Sequence, residues 1–212
     1  VSAFDVVVIA KEPRPRYAKT RLTPPYTPGE AAALAEAALT DTLAAVAGSP
    51  AAVRTVCLAG RPGPWLPAGV RVTGQRGDGL AERLAHAFDD AHAGRPVVLI
   101  GMDTPQVTPG LLAAAGDALR THDAVFGPAT DGGFWLLGLR EPDPALLRGV
   151  PMSRADTGAR QLARLRGAGL AVAKAPELTD VDTAADAALV AAQAPGGAFA
   201  AAFHRYRREA PA

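Results

Sequence analysis

Between Val97 and Pro105 the chain reads Val-Val-Leu-Ile-Gly-Met-Asp-Thr-Pro. Four apolar residues, two of them Val and one Ile, run straight into Gly and then an acid. That is the signature of a strand buried on both faces whose exit carries a carboxylate. Such a strand needs helices covering both sides of its sheet, so the sheet has to be largely parallel. In an open α/β sheet, ligands bind beyond the carboxyl ends of the strands, which turns Asp103 toward a ligand. On this stretch alone, Asp103 reads equally well as the cap of a turn introduced by Pro105.

The flanking segments supply the frame. Phe4 to Ala10 is β-branched and almost continuously apolar, the pattern of a central first strand. Lys11 to Leu22 follows as a loop, because Pro13 and Pro15 forbid an immediate helix. It carries Lys11, Arg14, Arg16, Lys19 and Arg21 against Glu12 alone. Cations gathered at a strand's carboxyl end suit a di- or triphosphate, since each charge-assisted hydrogen bond is worth roughly 1.5–3 kcal/mol. A solvated basic loop without a ligand is the plainer alternative.

Thr27-Pro28-Gly29-Glu30 is a capping box with proline in the first turn, predicting a helix to about Ala47. Arg54 to Ala59 and Val70 to Gln75 are predicted strands. A Gly-rich turn from Gln75 to Gly79 opens a helix from Leu80 to about His92, with Leu80, Leu84 and Phe88 on one face. Thr108-Pro109 starts another helix, ending near Thr121, and Asp123 to Pro128 is a short strand. Ala129 to Gly133 turns sharply into an aromatic-rich strand, Phe134 to Leu139. Gly132 and Gly133 let a backbone approach a ligand, and Asp131 can accept hydrogen bonds from a sugar or acceptor hydroxyl, although Asp-Gly-Gly is equally a hairpin turn.

Gly149 to Asp156, with Ser153, is an irregular loop beside an expected acceptor pocket. Thr157 to Arg166 is a predicted helix with Leu162 and Leu165 inward, and Leu170 to Ala175 a strand. Asp180, Asp182 and Asp186 then precede an alanine-rich helix. Thr183 and Asp186 have capping-box spacing, which leaves Asp182 as the second carboxylate for a cation and Asp180 in reserve. A last helix beyond Gly196, carrying His204 to Arg208, fits a solvated end or a subunit contact, hence a homodimer. The expected organisation is one transferase domain over residues 1–195 and a helical tail over 196–212.

Composition removes several function classes. With 22 basic and 21 acidic residues the chain has no global field for nucleic acid or an anionic membrane. The single cysteine, Cys57, lies in an apolar run and has no disulfide partner, which fits a reducing compartment. No apolar run is long enough to span a bilayer, and no signal-peptide pattern opens the chain, so a soluble cytoplasmic protein is expected. The four histidines do not pair at metal-ligand spacing, and no serine elbow, Walker loop or Gly-x-Gly-x-x-Gly is present.

In combination the motifs are more specific than any one of them. Lys11-x-Pro-x-Pro-x-x-x-Lys-Thr-Arg-Leu22, Gly101-x-Asp-x-Pro105, Gly127-Pro-x-x-Asp-Gly-Gly-Phe-x-Leu-x-Gly138 and Asp180-x-Asp-Thr-x-x-Asp186 resemble the GT-A-fold, nucleotide-diphospho-sugar-transferase-like proteins. More closely, they are similar to domain-of-unknown-function family 2064, treated as glycosyltransferase-like and related by fold to the molybdenum cofactor and 2-phospholactate guanylyltransferases. The resemblance covers roughly Val6 to Val190. It implies a three-layer α/β/α sandwich with a mixed, mostly parallel sheet. It also implies phosphate contacts from Lys11, Lys19 and Arg21, a metal on Asp103 and Asp182, and an acceptor or sugar at Asp131 to Gly133. Arg16 stands where the family loop usually has Gly, Ala81 where another Gly is frequent, and Met152 where an aromatic is common.

The expected site therefore comprises Lys19, Asp103 and Asp182 as catalytic groups. Lys11, Arg16, Lys19, Arg21, Gln75 and Asp103 are expected on the nucleotide, and Asp131, Gly132, Gly133 and Ser153 on the acceptor or sugar. Asp103 and Asp182 are assigned Mg2+ or Mn2+. The partners are a nucleotide, either an NTP or an NDP-sugar, and a small-molecule acceptor. The excess charge of the basic loop favours a triphosphate, hence nucleotidyl transfer to a small phosphorylated acceptor with release of pyrophosphate. Glycosyl transfer from an NDP-sugar and non-catalytic nucleotide binding are the alternatives.

Overall fold

The computed structural model describes residues 4–207. Arg208, placed by the sequence in the terminal helix, lies outside the described residues. Among the latter, seven strands form one sheet in the order β3-β2-β1-β4-β6-β5-β7. These are β1 (Asp5–Lys11), β2 (Val53–Ala59), β3 (Arg71–Gly74), β4 (Val97–Gly101), β5 (Ala124–Pro128), β6 (Phe134–Leu139) and β7 (Val172–Lys174). All pairings are parallel except those of β6, which runs antiparallel to both β4 and β5. The mixed, mostly parallel α/β sandwich is thus borne out. The hairpin between β5 and β6 forms as the glycines of its turn suggest, but β6 and not β5 takes the place beside β4.

Helices α1 (Pro28–Ala47), α2 (Leu80–Ala91), α3 (Pro109–Ala118), α4 (Thr157–Gly167), α5 (Ala184–Gln193) and α6 (Ala198–Tyr206) connect and cover the sheet. The two-residue period of the strands divides the core. Val6 and Val8 of β1, with Val98 and Ile100 of β4, pack with Leu39 and Leu43 of α1 and Leu112 of α3. Val7, Val97 and Leu99 face the other way, toward Leu84 and Phe88 of α2 and Leu165 of α4. Each such side chain, fully buried, contributes about 1.5–3 kcal/mol. Cys57 is buried in that second layer, as a small core residue.

From β1 the chain passes through α1 to β2 on one side; from β3 it returns through α2 to β4 on the other. Strand order reverses between β1 and β4, and a crevice opens there at the carboxyl ends. This places the exits of β1 and β4 next to each other.

The alanine-rich composition of α1 has a packing reason. One side meets the sheet, while Ala31, Leu34 and Ala38 meet α5 and α6 through Val190, Phe199 and Phe203. Small side chains on both flanks allow a helix to be buried between two layers. The last helix is therefore not the solvated end the sequence suggested. Its start has no capping side chain of its own. Asp41 of α1 supplies one, accepting from the backbone N–H groups of Ala198 and Phe199 at 2.8 Å each. Asp41→Ala leaves two donors at a helix N-terminus without that acceptor and should lower stability by about 1–2 kcal/mol, read as a lower urea midpoint. An unchanged midpoint would mean that α6 is held by apolar packing alone. Among the described residues no helix is long and apolar enough to cross a membrane.

Candidate active site

The loop after β1 does not float. Ala18 inserts into the layer between sheet and α1, while Leu22 and Tyr26 bury against α1, α5 and α6. Lys19 stands between these anchors, with left-handed backbone (φ 53°), and Thr20–Leu22 form a single 3-10 turn behind it. At the loop's start, the Lys11 N–H points at the Met102 sulfur, 3.2 Å away, which joins it to the exit of β4.

Asp103 follows that exit. The segment after β7 is drawn to it by three backbone-directed bonds: Thr130 N–H to Leu178 O (3.0 Å), Gln106 Nε2 to Thr179 O (2.7 Å) and Val181 N–H to Asp103 O (2.9 Å). Asp180 and Asp182 are thereby placed beside Asp103, although 77 residues or more separate them in the chain.

The groups converge on Lys19. Its Nζ lies 3.0 Å from an Asp103 carboxylate oxygen and 3.0 Å from one of Asp182, with the lysine side chain only 7% exposed. Arg21 reaches the other oxygen of Asp182 at 3.3 Å. Burial pulls the Lys19 ammonium toward deprotonation, but Asp103 and Asp182 together outweigh it and leave the pKa above the ordinary lysine value. Lys19 is therefore a firm cation. Asp180 has no such partner. Burial first, then the charges of Asp103, Asp131 and Asp182, outweigh the pull of Lys19 and push its carboxyl up to about 7.

Around this bridge lies a cleft of about 650 Å³. Lys11, Lys19, Arg21, Gln75, Asp103, Asp131, Gly133, Ser153 and Asp182 all line it, so most residues singled out from the sequence meet in one place. Arg16 and Gly132 do not line it. Arg16 is exposed with φ 62°, the conformation that glycine takes without strain, and its side chain serves no part of the cleft wall. Gly132 works behind the wall: at φ 86° its carbonyl accepts from Gly158 N–H at 2.8 Å, and a Cβ there would overlap the Ala155 carbonyl. Asp131 holds the turn by accepting from Gly133 N–H at 2.8 Å. The hairpin and ligand-facing readings of this turn are thus compatible.

Gln75 has a structural duty as well, its amide donating to Ala10 O and Cys57 O at 2.8 and 3.1 Å across the ends of β1 and β2. Sequence reasoning did not single out Tyr17, Arg83 or Arg154, which also line the cleft. Arg83 carried a usable signal, since it falls in the first turn of a helix that opens on the crevice; Tyr17 and Arg154 sit in irregular loops and carried none.

No three His, Cys, Asp or Glu side chains among the described residues surround a common point closely enough, as they stand, to hold a metal ion. The ammonium of Lys19 lies between Asp103 and Asp182. Their oxygens are nonetheless hard donors of the type Mg2+ and Mn2+ accept, and Mg2+ commonly takes only one or two carboxylates alongside substrate phosphates.

A crevice at the strand-order reversal, walled by a basic loop and floored by carboxylates, on this sheet, is that of a transferase, and the relatives it resembles make it one of the nucleotidyltransferase type. Residues 31–154 match the family described as Uncharacterized protein conserved in bacteria (DUF2064), and the chain belongs to that family. It is 38% identical over 189 residues to 3-phospho-D-glycerate guanylyltransferase of Phenylobacterium zucineum (strain HLK1), an alignment covering 82% of this chain and 84% of the relative. Among solved structures, a candidate nucleotide-diphospho-sugar transferase from Desulfovibrio desulfuricans G20 superposes with TM-score 0.84 at 28% identity, covering 99% of this chain and 100% of the other. The 2-C-methyl-D-erythritol 4-phosphate cytidylyltransferase of Thermus thermophilus shares the fold, with TM-score 0.58 and 19% identity over 92% and 100% of the two chains. The family resemblance carried by the four motifs is borne out.

Proposed function

We propose that the protein transfers a guanylyl group from GTP to a small phosphate monoester, 3-phospho-D-glycerate or a close analogue, releasing pyrophosphate. The observation that carries this reading is the Lys19 bridge: a buried ammonium held by Asp103 and Asp182 where the exits of β1 and β4 adjoin. The likeness to a guanylyltransferase supports the choice of base and acceptor.

The chemistry suits the groups present. An oxygen of the acceptor's phosphate dianion attacks the α-phosphorus and forms the new P–O bond. The bond from that phosphorus to the β-phosphate bridging oxygen breaks, and its electron pair leaves with pyrophosphate. The nucleophile is already an anion, so no proton has to be removed and no general base is required. That accords with a cleft lined by no histidine among the described residues. What the reaction needs is charge neutralisation and alignment of two polyanions. Lys11, Lys19 and Arg21 are assigned to the phosphate oxygens. Asp131 and Ser153 face the same cleft and are assigned to the acceptor.

Asp103 and Asp182 are the residues that would hold Mg2+ or Mn2+, with Asp180 beside them. A divalent cation bound there would neutralise phosphate charge and help to fix the leaving group. Lys19 would then be freed to contact phosphate.

The test is a pyrophosphate-release assay with GTP, 3-phospho-D-glycerate and MgCl2, run beside thermal shift with the four NTPs and several NDP-sugars. The expected result is pyrophosphate release dependent on acceptor, and a larger midpoint rise with GTP than with any NDP-sugar. In Asp103→Asn the Mg2+-dependent part of that rise should vanish. A preference for an NDP-sugar, with no pyrophosphate released, would replace this reading by glycosyl transfer.

A further inference from the structure

Two cations of the cleft have no task in the reaction just described. Arg83 and Arg154 line the same cavity as Lys19 and Asp103, but neither belongs to the basic loop. Arg83, in the first turn of α2, donates its Nε to Gly77 O at 3.4 Å and makes no ion pair among the described residues. The Nε of Arg154 lies 3.4 Å from one oxygen of Asp156, whose other oxygen is held by Arg160 at 2.6 Å. The Arg154 side chain is 60% exposed, so that pairing costs little to give up.

Their placement separates them from the phosphate-binding loop. Ala18 and Leu22, which anchor the loop, pack on the α1 side of the sheet. Leu84, next to Arg83, packs in one apolar cluster with Phe134 and with Met152, two residues before Arg154, on the α2 and α4 side. The cleft therefore crosses the strand ends, from lysine and carboxylates toward one face to Arg83, Arg154 and the apolar Leu84, Phe134 and Met152 toward the other.

The geometry points to Arg83 and Arg154 as a clamp for a second anionic group on the acceptor, a carboxylate remote from the reacting phosphate. This rests on the nucleotidyl-transfer reading and adds to it the residues that choose the acceptor. A guanidinium matches a planar carboxylate with paired, parallel hydrogen bonds, and fixed arginines orient an acceptor by its unreactive end. Binding energy gained there can be used to align the phosphate for attack. An acceptor phosphate without that second anionic group would leave the two arginines without a partner and lose that alignment.

A matched pair of acceptors tests it. 3-Phospho-D-glycerate and glycerol 3-phosphate differ in carrying a carboxylate or a hydroxymethyl group at one position. The parent protein should use the first with kcat/KM about 10–100-fold higher. Arg83→Met and Arg154→Met should each lower kcat/KM for phosphoglycerate about 10-fold or more, leave glycerol phosphate turnover and the KM for GTP within about 2-fold, and melt with the parent. Equal use of both acceptors by the parent would overturn the clamp while leaving nucleotidyl transfer standing. So would variants that slow both acceptors alike, or that raise the KM for GTP, which would place the arginines on the nucleotide. Absence of any GTP binding or transfer in the parent would remove the underlying reading instead.

Discussion

Lys19→Met should lose about 10²–10³-fold or more in transfer rate and, without nucleotide, bind Mn2+ more tightly than the parent. The first effect follows from the role proposed for Lys19, a positive group that would meet developing phosphate charge in a partly enclosed site. The second follows from what Lys19 does in the free protein. Its ammonium sits 3.0 Å from both Asp103 and Asp182, so a divalent cation held by both carboxylates would displace it. Methionine keeps the length of the stem and removes the charge, leaving two carboxylates facing each other. In EDTA the variant should be less stable by on the order of 1–3 kcal/mol, less than a fully buried broken pair would cost because both aspartates are about one-third exposed. Mn2+ alone should then raise its midpoint more than it raises the parent's, since the ion replaces the missing charge. Thermal melts in EDTA and in millimolar MnCl2 give the answer without an activity assay. If parent and variant respond equally to Mn2+, Asp103 and Asp182 are not where the ion binds.

How much of this was legible in the sequence depends on the range of the interactions involved. The capping box at Thr27 and Glu30 forms as its spacing dictates, because both partners lie within one helical turn. The same holds for Thr183 and Asp186, which also explains why Asp186 is spent on the helix start and Asp182 is left for the site. β1 and β4 were readable because burial on both faces demands an unbroken apolar run. The insertion of β6 between β4 and β5 was not: a hairpin signal specifies which strands pair, not which of them faces the rest of the sheet. The meeting of Asp103 with Asp180 and Asp182 rests on a few hydrogen bonds made by the segment after a short edge strand, and no local pattern encodes those. Nor does anything near Gly197 announce that its helix is capped by Asp41, from a helix far earlier in the chain. The basic loop and the acid after β4 could be matched only because folds of this type bind ligands at strand ends; Arg83 carried the weaker signal of a helix's first turn, and Arg154, in an irregular loop, carried none.

Asp180→Asn should stabilise the metal-free protein at alkaline pH while impairing its activity. The Asp180 carboxyl is pushed up to about 7, by burial and by its acidic neighbours, from 3.8 in an unperturbed setting. A folded-state pKa above the unfolded one means that the proton's contribution is complete below about 3.8 and is lost as pH rises through about 7. Above that pH the folded protein carries an ionised carboxylate in a poor place, at a cost on the order of 1–3 kcal/mol. Asparagine cannot ionise, so it escapes the cost. Melting midpoints measured in EDTA should coincide near pH 4 and diverge between pH 5 and 8, with the variant higher. Adding Mn2+ at pH 8 should narrow the gap by relieving the parent, because a cation among Asp103, Asp180 and Asp182 favours ionised oxygens. Parallel curves across the whole range would mean that Asp180 ionises like a solvent carboxylate. The crowding of acids around Lys19 would then carry no stability cost, and the site would hold less electrostatic strain for a nucleotide-bound cation to relieve.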